Sequence, residues 1–211
     1  LDDKHPVNNN IESKMTAVIP TRHILSDYDI CLIDTVGFGV NCFDDKETIK
    51  AIDDADVVVI IYDASRFGGF TNDELLFLKE HMFSNDGSFP IERIIVVPNK
   101  IDKVASVREV SEIAKTELCN IVKYGTPEWQ ILSDNICPIS AYYYRLARVG
   151  ISNHLNVKSP EARLELMNHD AQMLIRASIS TGDYKRYLYE KSHVGKLIEL
   201  LEDLSYICRN K

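Results

Sequence analysis

The sequence predicts an α/β fold built on an open, mostly parallel sheet with helices on both faces. Apolar runs of strand length recur through the first two thirds of the chain, helical patterns with N-cap signals lie between them, and after residue 141 the alternation gives way to helix alone. Runs that are apolar at successive positions, rather than at alternate ones, are what strands covered on both faces require. Strands separated by helices imply right-handed crossovers between parallel neighbours.

Taken in order, residues 1–15 (LDDKHPVNNNIESKM) are polar and are expected to form a flexible lead-in. Residues 16–25 (TAVIPTRHIL) suit an edge strand, because Pro20 cannot donate to a ladder, and Ser26 and Asp27 would turn the chain into its neighbour. The buried strands are expected at 29–34 (DICLID), 56–63 (DVVVIIYD) and 93–98 (RIIVVP), with a shorter and weaker one at 135–139 (NICPI). Helices are expected at 44–54, with Asp44 as N-cap and Glu47 three residues on, at 71–83 from Thr71 and Glu74, and at 106–122 from Ser106 and Glu109. Beyond residue 141 no good strand occurs up to 182, and 160–179 has a helical pattern. Residues 184–208 place Leu188, Val194, Leu197, Ile198, Leu201, Leu204 and Ile207 on one stripe, expected to pack across the sheet.

Composition sets the class. With 211 residues, 45% hydrophobic and 27% charged, the chain can bury one sizeable core. A formal net charge of −8 argues against general affinity for nucleic acid or anionic lipid. The five cysteines are scattered without metal-ligand or redox spacing, which suits small buried hydrophobes in a reducing, cytoplasmic compartment. The six histidines show no ligand spacing either. No stretch has the length and apolarity of a membrane span, and no signal peptide opens the sequence.

The sharpest chemical signal is Asn99-Lys100-Ile101-Asp102, directly after the strand RIIVVP. Open α/β sheets bind ligands at the carboxyl ends of their strands. There the Asp102 carboxylate can accept from both N1–H and the exocyclic N2 amine of guanine. Adenine has no such donor pair, so Asp102 would be left unpaired against it. The Asn99 amide can reach the other purine edge, and the Lys100 stem can lie over the ring. A second signal is Asp34-Thr35-Val36-Gly37 at the end of DICLID: Asp34 can hold a Mg²⁺ shell through water, and the Gly37 N–H can meet a γ-phosphate oxygen. A third is Ser140-Ala141 after NICPI, where a backbone N–H would face guanine O6 and the small Ala permits close contact. Its weight is entirely positional.

In this order, each at an expected strand end, the motifs resemble the GTPase superfamily of P-loop proteins. Asp34–Gly37 matches the Asp-x-x-Gly box, Asn99–Asp102 the Asn-Lys-x-Asp box and Ser140-Ala141 the Ser-Ala box, over about residues 16–145. The resemblance implies a three-layer G domain there, followed by a helical extension at 146–211 whose final helix packs on it. Ser65-Arg66-Phe67 followed by Phe70–Glu74 is similar to immune-associated (GIMAP-type) GTPases. The helical tract ending in Ser192-His193-Val194 is closer to dynamin-like ones.

Two departures stand out. Phe38 follows Gly37 where Ras-like members carry a catalytic Gln, so the attacking water would be placed by another group, often from a partner or a dimer. No Gly-x-x-x-x-Gly-Lys-Ser/Thr occurs; Gly195-Lys196 is the nearest look-alike and suits an amphipathic helix. By resemblance the first strand and its phosphate loop lie centrally, between the strands ending at Asp34 and Asp63. They are expected in a stretch outside this sequence, the alternative being another segment or chain in that slot. The first-switch threonine, a Mg²⁺ and catalytic-loop residue by resemblance, is expected at Thr16, with Thr21 as the alternative.

The implied function is binding of GTP and GDP with Mg²⁺ and slow hydrolysis of GTP, stimulated by homodimerisation or an activating protein. The alternatives are a pseudo-GTPase that serves as an interaction module, and a plain doubly wound enzyme in which Asn-Lys-x-Asp is coincidence. Arg66 is expected in solvent or reaching across the nucleotide face, and Tyr142–Tyr144 beneath the helical extension.

Overall fold

The computed structural model describes residues 31–35, 42–66, 69–83, 89–149 and 184–209. The chain divides after Leu32 into two units, Leu1–Leu32 and Ile33–Lys211, and every element below belongs to the second. It is a mixed α/β unit around a small parallel sheet. Strand β1, Val58–Asp63, pairs in parallel with β2, Ile94–Asn99, in a register running from Val58 opposite Ile94 to Asp63 opposite Asn99. Parallel neighbours need a crossover. This one carries helix α2, Asn72–Phe77, which continues as a π-helical turn over Leu78–Met82.

The expected weak strand at 135–139 lies along the other side of β2. Ile136 bridges Val96 in parallel, Val96 N–H donates to Asn135 O (3.1 Å), Cys137 N–H to Val96 O (2.8 Å) and Ile139 N–H to Pro98 O (2.8 Å). The pairing does not extend into a full ladder, and Pro98 supplies the reason. Donors two apart on a strand point the same way, so the N–H that proline lacks is the one that would follow Val96 toward residue 137.

Both faces of this sheet are apolar, as the continuous runs predict. On one face Ile60, Tyr62, Ile94, Val96 and Ile136 share a core with Ile52 of helix α1 (Cys42–Asp53), with Phe77, Leu78 and Met82, and with Ala114 and Leu118 of helix α3 (Val107–Leu118). Trp129 and Leu132 of helix α4 (Pro127–Asp134) complete it. On the other face Val59, Ile95, Val97, Cys137 and Ile139 meet Val194, Leu197, Leu201 and Leu204. Ile94, Ile95, Val96 and Val97 are wholly buried, each contributing about 1.5–3 kcal/mol of apolar burial. Ile61 on β1 departs from the pattern at 61% exposure.

The helix starts follow their caps. Thr71 and Glu74 form the reciprocal capping box, with Glu74 N–H to Thr71 Oγ1 at 3.2 Å and Thr71 N–H to Glu74 Oε2 at 2.6 Å. Ser106 Oγ accepts from Glu109 N–H at 3.2 Å. Helix α1 begins at Cys42, so Asp44 lies inside it rather than at its cap; acidic residues favour both places, and sequence does not separate them. Helix α4 is not anticipated from the periodicity, although Thr126 caps it and Pro127 occupies its first turn.

Other expectations change. Residues 31–35 carry no regular structure, and Leu32 and Ile33 are 79% and 59% exposed, so the strand expected at 29–34 is not formed over its described part. A strand needs a ladder partner, and no described strand pairs with this run. The stripe expected over 184–208 is two helices, α6 (Tyr184–Ser192) and α7 (Val194–Arg209), broken at His193 in the left-handed region with φ 56°. Leu188 therefore packs with Leu146 and Ala147 of helix α5 (Ala141–Val149), while Val194, Leu197, Leu201 and Leu204 cover the sheet. Tyr142 and Tyr143 pack on that small cluster and Tyr144 faces Tyr189 at 6.0 Å between centroids, as expected beneath the helical extension. Gly195-Lys196 lies within α7, as its amphipathic setting suggests. The lead-in at 1–15, the strand at 16–25 and the helix at 160–179 fall outside the described residues.

Candidate functional site

The parallel register brings three loop starts to one end of the sheet. Asp63 closes β1 opposite Asn99, which closes β2, and Ile139 beside Pro98 leads into Ser140 and α5. After Asn99 the chain reverses sharply: Lys100 adopts the left-handed conformation with φ 69°, and Ile101–Lys103 form a single 3₁₀ turn that presents Asp102. A lysine in that region is uncommon and carries a local cost. The Asn99 side chain offsets it, because its Oδ1 accepts from Lys100 N–H at 2.8 Å.

The same Oδ1 accepts from Ala141 N–H at 3.1 Å, so Asn99 ties the two loops together. A second tie runs from Ser140 Oγ, which donates to Asp102 Oδ1 at 2.5 Å. Ser140 is wholly buried, and its Oγ also accepts from Tyr143 N–H at 3.0 Å, which caps α5. Its own N–H donates to Ser192 O at 2.9 Å, linking the site to the corner between α6 and α7. Ile101 N–H to Ile139 O at 3.2 Å completes the backbone connection. Among the described residues, Asp102 Oδ2 and Asn99 Nδ2 have no protein partner, so the site offers a ligand a carboxylate oxygen with two lone pairs and an amide group with two N–H donors.

Lys100 and Asp63 form an ion pair, Nζ to Oδ2 at 2.5 Å. Asp63 Oδ1 accepts from Ser65 N–H at 3.0 Å and Ser65 Oγ at 2.6 Å. The Lys100 ammonium first, and the Ser65 hydroxyl next, hold the Asp63 carboxyl well below the usual carboxylate range, so it stays ionised.

The structure thus assembles Asn99, Lys100, Asp102, Ser140 and Ala141. One detail differs from expectation: the Ala141 N–H turns to Asn99 rather than standing open for guanine O6. A backbone donor beside a side-chain carbonyl is satisfied inside the protein when the geometry allows. Asp34 lies exposed in the irregular 31–35 segment, and among the described residues no group of His, Cys, Asp and Glu could hold a metal ion. Thr16, Gly37 and Phe38 lie outside the described residues. Arg66 reaches Glu74 at 3.2 Å and not the loops around Asn99 and Ser140. Asp63, Ser65 and Ser192 are the site residues that motif reasoning missed; the first was visible as the polar end of DVVVIIYD, which a parallel register sets beside Asn99.

A further, partly buried polar group lies on helix α3, against the backbone of Phe70. Glu117 Oε2 accepts from Phe70 N–H at 3.1 Å, and burial first, then the nearby Glu74, push its carboxyl above its ordinary value against that hydrogen bond. Comparison of the chain with family models, with curated proteins and with solved structures finds no match.

Proposed function

We propose that this chain carries the guanine-recognition half of a GTP-binding and GTP-hydrolysing domain of the G-domain type. The observation that carries the reading is the interlock of Asn-Lys-x-Asp with Ser-Ala: motifs 38 residues apart, as between Ser140 and Asp102, meet through Ser140 Oγ–Asp102 and Asn99 Oδ1–Ala141 N–H. A surface turn that matched by accident would have no need of a fully buried serine bonded to its carboxylate. In the proposed complex Asp102 accepts from guanine N1–H and the N2 amine while Ser140 holds its other oxygen in place. Asn99 Nδ2 donates to the far purine edge, and the Lys100 stem covers the ring. Adenine presents an acceptor at N1 and no 2-amine, so Asp102 would lose both donors against it.

The hydrolytic half of the proposal comes from the sequence motif at Asp34–Gly37 and its resemblance. Thr16 and Asp34 would hold Mg²⁺, Gly37 would meet the γ-phosphate, and Phe38 leaves the water to be placed by a dimer or an activating partner. A three-layer G domain is the finer fold this reading implies. A second reading, a pseudo-GTPase acting as an interaction module, is favoured by one feature: the sequence contains no Gly-x-x-x-x-Gly-Lys-Ser/Thr. Catalysis of phosphoryl transfer is mainly positioning and charge stabilisation, so a site without that loop would retain guanine binding and little turnover.

Titration of GDP, GTP and ATP with Mg²⁺ against the chain and against Asp102→Asn tests the proposal. Guanine-selective binding is expected, weakened roughly 10–100-fold in the variant, as for loss of a charge-assisted hydrogen-bond pair. Equal affinity for adenine and guanine nucleotides would refute it. Measured GTP turnover, with and without a dimerising tether, separates the GTPase from the pseudo-GTPase.

A further inference from the structure

The residue that holds Lys100 is on a strand none of the motifs includes. Asp63 stands 37 positions before Lys100 and reaches it only because β1 and β2 are parallel and in register at Asp63 and Asn99. We propose that Asp63 is a positioning residue of the guanine site, fixing the Lys100 side chain so that its stem lies ready for the base. The inference rests on the guanine reading above.

Three observations support it. The Asp63 carboxylate is itself immobilised: Oδ1 takes both Ser65 N–H and Ser65 Oγ, which leaves Oδ2 aimed at Lys100 Nζ. The Lys100 backbone is already committed to an uncommon conformation, held by Asn99. The side chain is then the remaining freedom of this residue, and at 46% exposure it would sample many rotamers without a tether. A half-exposed ion pair contributes little to folding. Its effect falls on binding, because a ligand that needs one lysine rotamer no longer has to select it. The pair is not a local helix-surface contact of the i,i+4 kind, since it joins two strand ends.

The test is a double-mutant cycle in GDP affinity on the full chain, using Asp63→Asn, Lys100→Ala and the double variant, with Asp63→Glu as the conservative partner. Asp63→Asn keeps an acceptor for Ser65 and is expected to weaken GDP binding about 3–10-fold. In the Lys100→Ala background the same change is expected to cost less than about twofold, Asp63→Glu to recover part of the loss, and the unfolding midpoint to stay within about 1 °C. Equal losses in both backgrounds would overturn the proposal, since Asp63 would then act without Lys100. GDP binding unchanged by Asp63→Asn would overturn it while leaving the guanine reading intact. Absence of guanine-nucleotide binding by the unmodified chain would overturn both. Should Asp63→Asn fail to fold, Ser65→Ala removes the hydroxyl donor to Oδ1 while keeping the backbone N–H bond and Asp63 in place. It is expected to weaken GDP binding about twofold in the parent and not at all in Lys100→Ala.

Discussion

Replacing Ser140 by alanine removes one atom that serves two loops. Ser140 Oγ accepts from Tyr143 N–H at 3.0 Å as the N-cap of α5 and donates to Asp102 at 2.5 Å, from a position with no solvent exposure. Loss of a helix cap costs about 1 kcal/mol, with a range of roughly 0.5–2. A hydrogen bond to a carboxylate contributes about 1.5–3 kcal/mol where both groups are desolvated. Asp102 is only half-buried, so water replaces much of that bond and its net share falls below about 1 kcal/mol. The two together give about 1–2 kcal/mol, which for a domain of this size lowers the unfolding midpoint by about 2–8 °C. Thermal and urea unfolding followed by circular dichroism reads this directly. A companion pair, Asp102→Ala alone and with Ser140→Ala, separates the two shares: the serine change should cost less once the carboxylate is gone. A midpoint within about 1 °C of the parent for Ser140→Ala would refute the reasoning, because a buried donor–acceptor on two loops cannot be removed without cost. Under the proposed function, GDP affinity falls as well, about 3–10-fold, since Asp102 loses the group that holds it.

Two further predictions concern the face of β1 that carries α3. The Glu117 carboxyl lies above its ordinary 4.5, so the folded chain binds that proton more tightly than the unfolded chain, and stability declines as pH rises from about 4.5 through the folded value. Glu117→Gln still accepts from Phe70 N–H without the charge; urea midpoints should show its advantage growing over that window and then levelling, whereas a pH-independent difference would remove the argument. Tyr62 Oη is buried without a hydrogen-bond partner among the described residues, its ring against Phe70 at 4.2 Å between centroids, and burial, with Glu117 second, drives its hydroxyl far above the ordinary range. Tyr62→Phe keeps the ring contact and removes the orphaned group, so it is expected to stabilise by about 1 kcal/mol in equilibrium unfolding, and a destabilisation of that size would show that the hydroxyl has a partner.

Much of the sheet was legible because apolar runs act locally. VVIIYD and IIVVPN are strands where their β-branched continuity places them, and Thr71 with Glu74 starts α2 through its own backbone. These signals need no distant partner. DICLID carries the same continuity and yet residues 31–34 form no strand, because a run buried on both faces depends on neighbours that local composition cannot supply. The single stripe at 184–208 failed for a related reason. Periodicity continues across His193, while a left-handed residue at that point turns the helix and sends Leu188 and Leu204 to different cores.

In the site, the sequence by itself determined which chemical groups are available: a carboxylate, an amide, an ammonium and a small Ser-Ala turn, each delivered at a strand end. Only the tertiary structure decided how their hydrogen-bonding capacity is divided. Asn99 Oδ1 is occupied by the backbones of Lys100 and Ala141, Asp102 Oδ1 by Ser140, and the Lys100 ammonium by Asp63. A motif states donors and acceptors residue by residue. Which of them remain for a ligand depends on register between strands far apart in the chain, since hydrogen bonds are satisfied through space and not along the sequence.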